Sequence, residues 1–80
     1  MLVGNIIKKH IMLKPNQVEG FVNAATKCDF DVDIYYNRYV VDAKSILGVF
    51  GLDLTRPLTV EYSGYNQGFE QYLKKLQVAG

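Results

Sequence analysis

The chain has 80 residues, of which 49% are hydrophobic and 21% charged, and its net charge is +1. That balance is typical of a globular protein, and the length predicts one domain covering residues 1–80. The small net charge gives no basic surface for nucleic acid or a membrane, and no apolar run is long enough to cross a bilayer. A single cysteine, Cys28, excludes an internal disulfide, and with no apolar leader at the start it favours a cytoplasmic protein.

The first third of the chain predicts a strand followed by a helix. Residues 5–11 mix isoleucine with lysine as a short strand does, and Lys14-Pro15-Asn16 ends it. Asn16 lies three residues before Glu19, which is the spacing of a capping box at a helix start. The next apolar residues recur at helical spacing: Val18, Phe21, Val22 and Ala25. This pattern predicts a helix that ends near Lys27.

A hairpin is predicted next. Residues 31–36 alternate apolar and polar side chains, which indicates a half-buried strand, and residues 39–42 indicate a second one. Asn37-Arg38 forms the turn between them. Because Arg38 is not the glycine that such a turn prefers, we expect a positive φ at one of the two residues. Asp31 and Asp33 are expected on the outer, solvated face of the strand over residues 31–36 rather than in a metal site.

The second half of the chain predicts two helices separated by a strand. Ser45 is expected to cap a short apolar helix over residues 46–51, and residues 58–62 alternate as a strand. A polar loop over residues 63–68 leads to a last helix, on which Glu70 and Lys74 are expected to pair at the surface. The apolar face of that helix holds Phe69, Tyr72, Leu73 and Leu76.

The order of elements is therefore β-α-β-β-α-β-α. Each helix has one apolar face to bury, so all three helices must cover the same face of a single sheet. The hairpin makes at least one pair of strands antiparallel. These features predict an α+β fold of two layers.

Several segments resemble HPr, the small phosphocarrier of the bacterial sugar phosphotransferase system (PTS). Asp-Ala-Lys-Ser-Ile-Leu-Gly-Val, residues 42–49, is similar to the segment that carries the regulatory serine of that family. Residues 25–33 resemble the end of its first helix and its second strand, and Tyr36-Asn37 lies at its hairpin. The resemblance implies an open-faced β-sandwich, with a four-stranded antiparallel sheet and three helices on one side.

The chain departs from the family where the carrier chemistry is expected. The family motif Gly-(Leu or Ile)-His-x-Arg-Pro precedes the first helix; its histidine takes the phosphoryl group and its arginine helps to hold it. Read without gaps, the histidine position falls on Lys14 and the arginine position on Asn16. With Pro15 matched to the family proline, the histidine position falls on Met12. The one histidine, His10, lies in the first predicted strand, so no catalytic residue is predicted.

Lys14 has two interpretations. Imidazole offers a lone pair near neutral pH, whereas lysine, with a pKa of about 10.4, stays protonated. Lys14 is therefore either a solvated loop residue or a cation that binds an anion at the helix start without reacting with it. Cys28 has no base near it in the sequence, and the chain suggests neither a metal nor a cofactor.

Ser45 and the apolar residues after it are the predicted binding site. Ser45 is expected to be a helix cap, and the resemblance implies that it is also a site of regulatory phosphorylation. Ile46, Leu47 and Phe50 belong either to the core or to a patch that docks partners; the resemblance favours the patch, with Leu47 and Phe50 facing outward.

We interpret the chain as an HPr-like cytoplasmic protein without the phosphocarrier histidine. Its predicted role is to bind proteins of the PTS or of catabolite regulation as a monomer, with a serine kinase as a further possible partner. The first alternative is an active phosphocarrier that uses His10 or another acceptor. The second alternative is a structural relative with no role in the PTS.

Overall fold

The structure is a computed structural model that describes residues 5–78. Its strands are β1 (Ile7–Ile11), β2 (Val32–Tyr36), β3 (Tyr39–Asp42) and β4 (Leu58–Tyr62). Its helices are α1 (Val18–Thr26), α2 (Ile46–Phe50) and α3 (Gln67–Leu76), with a 3-10 turn at Pro15–Gln17 before α1. Among these residues no helix is both long and apolar enough to pass through a membrane.

The four strands form one antiparallel sheet in the order β1-β4-β2-β3. The inward side chains of the strands, among them Ile34 and Val60, are fully buried. They pack with helix residues such as Phe21 and Phe69, whose ring centroids are 6.2 Å apart. Each such side chain contributes about 1.5–3 kcal/mol when it is fully buried. The other face of the sheet carries charged and polar side chains, so the predicted α+β fold with its helices on one face is confirmed.

Local chemistry explains the hairpin and the start of α2. Asn37 has a φ of 52°, which confirms that one turn residue takes a positive φ; asparagine tolerates this conformation better than most residues. Ser45 precedes α2, and its Oγ accepts a hydrogen bond from the Gly48 backbone N–H at 3.2 Å. That bond confirms the predicted cap.

The start of α1 differs from the prediction. Asn16 does not cap the helix, because it lies inside the 3-10 turn that precedes it. Instead the Lys14 backbone N–H donates to Gln17 Oε1 at 2.9 Å, and the Gln17 N–H donates back to the Lys14 carbonyl at 2.8 Å. The capping box therefore joins Lys14 and Gln17, two residues before the predicted pair of Asn16 and Glu19.

The start of α3 and the pairing of Glu70 also differ from the prediction. Asn66 caps the helix by accepting from the Phe69 N–H at 2.9 Å, so α3 begins inside the segment that was predicted as a loop. Glu70 does not pair with Lys74. It accepts a hydrogen bond from the Tyr62 hydroxyl and lies 3.9 Å from Lys9 Nζ, because the outer edge of α3 faces β1 and β4.

Candidate functional site

The candidate site is the exposed start and outer face of α2. Ser45 is exposed, and its φ and ψ of −101° and 107° are extended, as a helix cap requires. Its side chain is engaged only with the Gly48 N–H among the hydrogen bonds of residues 5–78. The hydroxyl is therefore accessible from solvent while it also stabilises the helix.

An apolar patch follows Ser45 directly; we call Ile46, Leu47 and Phe50 the α2 patch. These side chains are 40%, 81% and 48% exposed. Val49 is the buried residue of this five-residue helix, so the short helix has room to bury little else. Leu47 and Phe50 face outward as expected. Contiguous apolar surface of this kind is typical of sites that contact other proteins.

Lys44 precedes Ser45 in the chain, and its side chain reaches the end of α1. Its Nζ donates to the Cys28 carbonyl oxygen at 3.1 Å. Cys28 follows the last turn of α1, where carbonyl groups lack helical partners, so the lysine satisfies one of them. The ammonium group of Lys44 therefore links the start of α2 to the end of α1.

The positions that match the carrier motif lie elsewhere. Lys14 and Asn16 are both exposed and precede the N-terminus of α1, whereas Lys44 ties the start of α2 to the opposite end of that helix. A nine-residue helix is about 13 Å long. Lys14 and Ser45 therefore belong to two separate regions of the surface.

His10 does not lie at the start of α1. It is exposed on the open face of the sheet, where its Nδ1 lies 3.2 Å from Thr59 Oγ1. The start of α1 is on the helix side. No histidine is therefore brought to the helix start, and neither alternative register of the motif supplies one.

Cys28 is buried, with 4% of its surface exposed. Burial raises the pKa of its thiol, while the charge of Lys44 acts in the opposite direction. A raised thiol pKa lowers the thiolate fraction, which argues against a nucleophile at this position.

The open face of the sheet carries a cluster of carboxylates. Asp33 is paired across the sheet with Glu61 on one side and with Asp42 on the other. Burial, followed by the charges of Asp42, Asp31 and Glu61, raises the pKa of Asp33. Within residues 5–78 no group of three or more acidic, histidine or cysteine side chains could hold a metal ion.

Sequence reasoning missed two surface features. One is a groove between α1 and α3, which exists because Gly20 allows the ring of Tyr72 to approach and its hydroxyl to donate to the Gln17 carbonyl at 3.1 Å. The other is the outer edge of β3, where Tyr39 and Val40 are exposed. A glycine at position 20 is a sequence feature that could have indicated the groove. The free edge of β3 depends on the order of strands in the sheet, which local sequence patterns do not determine.

Comparison with known structures identifies the architecture. The structure is similar to the crystal structure of a phosphocarrier protein HPr from Bacillus anthracis str. Ames, with a TM-score of 0.69. The alignment covers 90% of this chain and 98% of that one, at 20% sequence identity. The chain has an HPr-like fold. No protein-family model matches the sequence, and no curated protein matches it significantly.

Proposed function

We propose that this chain is an HPr-like protein of the sugar phosphotransferase system that binds partner proteins and does not carry phosphate on a histidine. The observation that supports this most is the α2 patch, directly beside an exposed serine. The partners are proteins of the PTS or of catabolite regulation, bound in the cytoplasm by a monomer. Lys14 and Asn16 replace the two residues on which phosphate transfer in the family depends.

In this proposal a serine kinase phosphorylates Ser45 and so changes the docking of partners. A phosphate adds about −1.5 to −2 charges at pH 7 and three acceptor oxygens. It would sit where the Gly48 N–H now donates to the serine Oγ, beside the positive end of a short helix dipole. Because Lys44 is held by Cys28, most of the added charge would face the partner. Partners that read apolar surface then bind more weakly, and partners with an arginine opposite the phosphate bind more tightly.

Affinity measurements with a PTS or catabolite-regulation protein test the docking site. Leu47→Ala is expected to weaken binding at least about tenfold, as loss of an interface anchor does. Tyr65→Ala is the matched control, because Tyr65 is an apolar side chain 73% exposed in a different loop. Equal losses for both variants, or none for Leu47→Ala, would count against the α2 patch.

The same partner tests the serine. Ser45→Asp should shift affinity in the direction that phosphorylation does, while Ser45→Ala removes the cap and lowers the free energy of unfolding by about 1 kcal/mol. Ser63→Ala is a control, since Ser63 is exposed and makes no hydrogen bond through its side chain within residues 5–78. If the wild type, Ser45→Asp and Ser45→Ala all bind alike, Ser45 is a cap and not a switch.

A second candidate is an active phosphocarrier, which the likeness in fold to a protein of that name supports. His10 is the one histidine in the sequence and its side chain is exposed. Incubation with the general PTS phosphoryl donor followed by intact mass measurement distinguishes the two functions. The first proposal expects no acid-labile phosphate, whereas a gain that disappears in His10→Ala establishes the carrier.

A further inference from the structure

The two edge strands of the sheet, β1 and β3, differ in whether their outer backbone groups have partners. The outer side of β1 is occupied by the C-terminal segment: the Met12 N–H donates to the Leu76 carbonyl and the Val78 N–H donates to the His10 carbonyl, both at 3.0 Å. No strand among residues 5–78 pairs with the outer side of β3. An unpaired strand edge offers its backbone groups to another chain.

The register of the hairpin shows which groups of β3 face outward. Tyr39 pairs with Tyr36 across a two-residue turn, and further along the Ala43 N–H donates to the Val32 carbonyl at 2.8 Å. Since alternate residues of a strand direct their N–H and C=O to the same side, the odd-numbered residues face β2. The backbone N–H and C=O of Val40 therefore point away from the sheet. The N–H of Asp42 points the same way.

Exposed apolar side chains lie on this edge strand. On β3 itself, Tyr39 is 63% and Val40 is 56% exposed. Edge strands usually carry a charge at such positions to prevent pairing, and the middle of β3 has none.

The sequence along this edge is self-complementary in charge. It reads Arg38-Tyr39-Val40-Val41-Asp42, with opposite charges two residues to either side of Val40. In an antiparallel pairing of two copies about Val40, Arg38, the turn residue immediately before β3, comes level with Asp42 of the other copy. Neither side chain has an ion-pair partner within residues 5–78. Asp42 Oδ1 accepts from the Lys44 N–H at 2.9 Å, which leaves the other carboxylate oxygen for arginine.

Other registers fit less well. A shift by one residue places odd-numbered residues opposite even-numbered ones, so the outward backbone groups no longer meet and the helices lie on opposite faces. A shift by two residues toward α2 places Asp42 opposite Val40 and away from Arg38, so both charge pairs are lost. The register centred on Val40 alone combines matched backbone groups with two attractive charge pairs.

We propose that two copies of this chain associate reversibly through their β3 edges, in the register centred on Val40, to form a continuous eight-stranded sheet. Five residues from each copy bury far less than the roughly 1,200 Å² of a stable complex. The monomer therefore predominates in dilute solution, and the dimer forms as the concentration rises. This association is independent of the docking proposed for the α2 patch.

Sedimentation across a concentration series, with a charge exchange between copies, tests the proposal. Arg38→Glu and Asp42→Lys should each weaken self-association at least about tenfold, because each creates two like-charge contacts in its own dimer. An equimolar mixture of the two variants should associate again, since the introduced glutamate then meets the introduced lysine and the native Arg38 meets the native Asp42.

Controls carry the same charge changes elsewhere. Lys74→Glu and Glu19→Lys alter exposed helix residues and should leave self-association unchanged. Asp42→Lys also removes a hydrogen bond to Lys44, so Val40→Lys provides a second variant, which places two ammonium groups together at the symmetry axis. Thermal unfolding checks that each variant is folded.

Three results would overturn the proposal. The first is a wild-type protein that stays monomeric at the highest soluble concentration. The second is an equal effect of Arg38→Glu and Lys74→Glu, which would indicate a general charge effect. The third is a mixture of the exchanged variants that associates no better than either alone.

Discussion

Tyr62 is a residue whose chemistry the fold changes strongly. Its side chain is 3% exposed, and its hydroxyl donates to Glu70 Oε2. Burial, then the hydrogen bond and the charge of Glu70, raise the pKa of Tyr62 far above its ordinary value of about 10. The native state therefore keeps a proton that the unfolded chain loses in alkaline solution.

This difference predicts how stability depends on pH. Because the folded pKa is raised, the contribution of Tyr62 is complete below pH about 10 and is lost as the pH rises beyond it. Tyr62→Phe should lose about 1 kcal/mol near neutral pH with the hydrogen bond. Its free energy of unfolding should then fall less steeply in alkali, by up to about 1.4 kcal/mol per pH unit. Urea unfolding at a series of pH values measures both; Tyr65→Phe, at an exposed site, should follow the wild type.

Gly64 is required by close packing. Its φ is 156°, and a Cβ at this position would collide with the ring of Phe30, which itself stacks on Tyr62 with centroids 5.8 Å apart. Gly64→Ala should therefore lower the free energy of unfolding by about 1–3 kcal/mol. Gly68→Ala is the matched control: its nearest neighbour would be Asn66 Oδ1 at 3.5 Å, and alanine in a helix should gain up to about 1 kcal/mol. A loss of similar size for both would show that the ring of Phe30 yields easily.

At the scale of elements, the open face of the sheet brings like charges together. Strands β4, β2 and β3 place Glu61, Asp33 and Asp42 side by side in one row. Carboxylates directly opposite each other destabilise a sheet. The neighbouring Tyr35 hydroxyl, which donates to Glu61 Oε1 at 2.9 Å, offsets part of this repulsion.

Asp33→Asn should accordingly raise the melting temperature near neutral pH. The raised pKa of Asp33, caused first by burial and then by Asp42, means that its ionisation destabilises the fold as the pH rises through that pKa. The gain should shrink in high salt and disappear well below pH about 3.9. Asp53→Asn removes the same charge from a residue whose pKa is lowered by hydrogen bonds from Thr55, so it should lower the melting temperature. A gain in both variants would indicate an effect of net charge alone.

At the scale of the whole molecule, the HPr-like fold does not depend on the side chains at the start of α1. Lys14 and Asn16 are exposed, and the backbone of the turn is held by Gln17. Replacing these two side chains should therefore leave the fold intact.

Two substitutions test whether the start of α1 can be made to accept phosphate, as the proposed function implies. Lys14→His alone should accept little phosphate from the PTS donor, because Asn16 cannot replace an arginine whose planar fork holds phosphate oxygens. Lys14→His combined with Asn16→Arg should accept clearly more, measured as acid-labile mass gain. Lys27→His, an exposed histidine beyond the other end of α1, is the control and should accept none. Equal transfer by the single and double variants at position 14 would show that the arginine matters little.

Much of this architecture could be predicted from the sequence, because it follows from local rules. Alternation over residues 31–36 and helical spacing from Val18 to Ala25 identify their elements without knowledge of any distant residue. The Ser45 cap and the positive φ at Asn37 likewise depend on a few neighbouring atoms. The helix starts at Gln17 and Asn66 were harder to predict, since several polar residues nearby could serve as caps.

Only the tertiary structure decided which of these elements meet. Strand order placed β3 at a free edge and brought Asp33 between two other carboxylates. Helix packing directed Lys44 to the end of α1, and it directed Glu70 to Tyr62 although the sequence predicts that Glu70 pairs with Lys74. Such contacts depend on how loops close and on which apolar faces fill the shared core, and no local pattern records either.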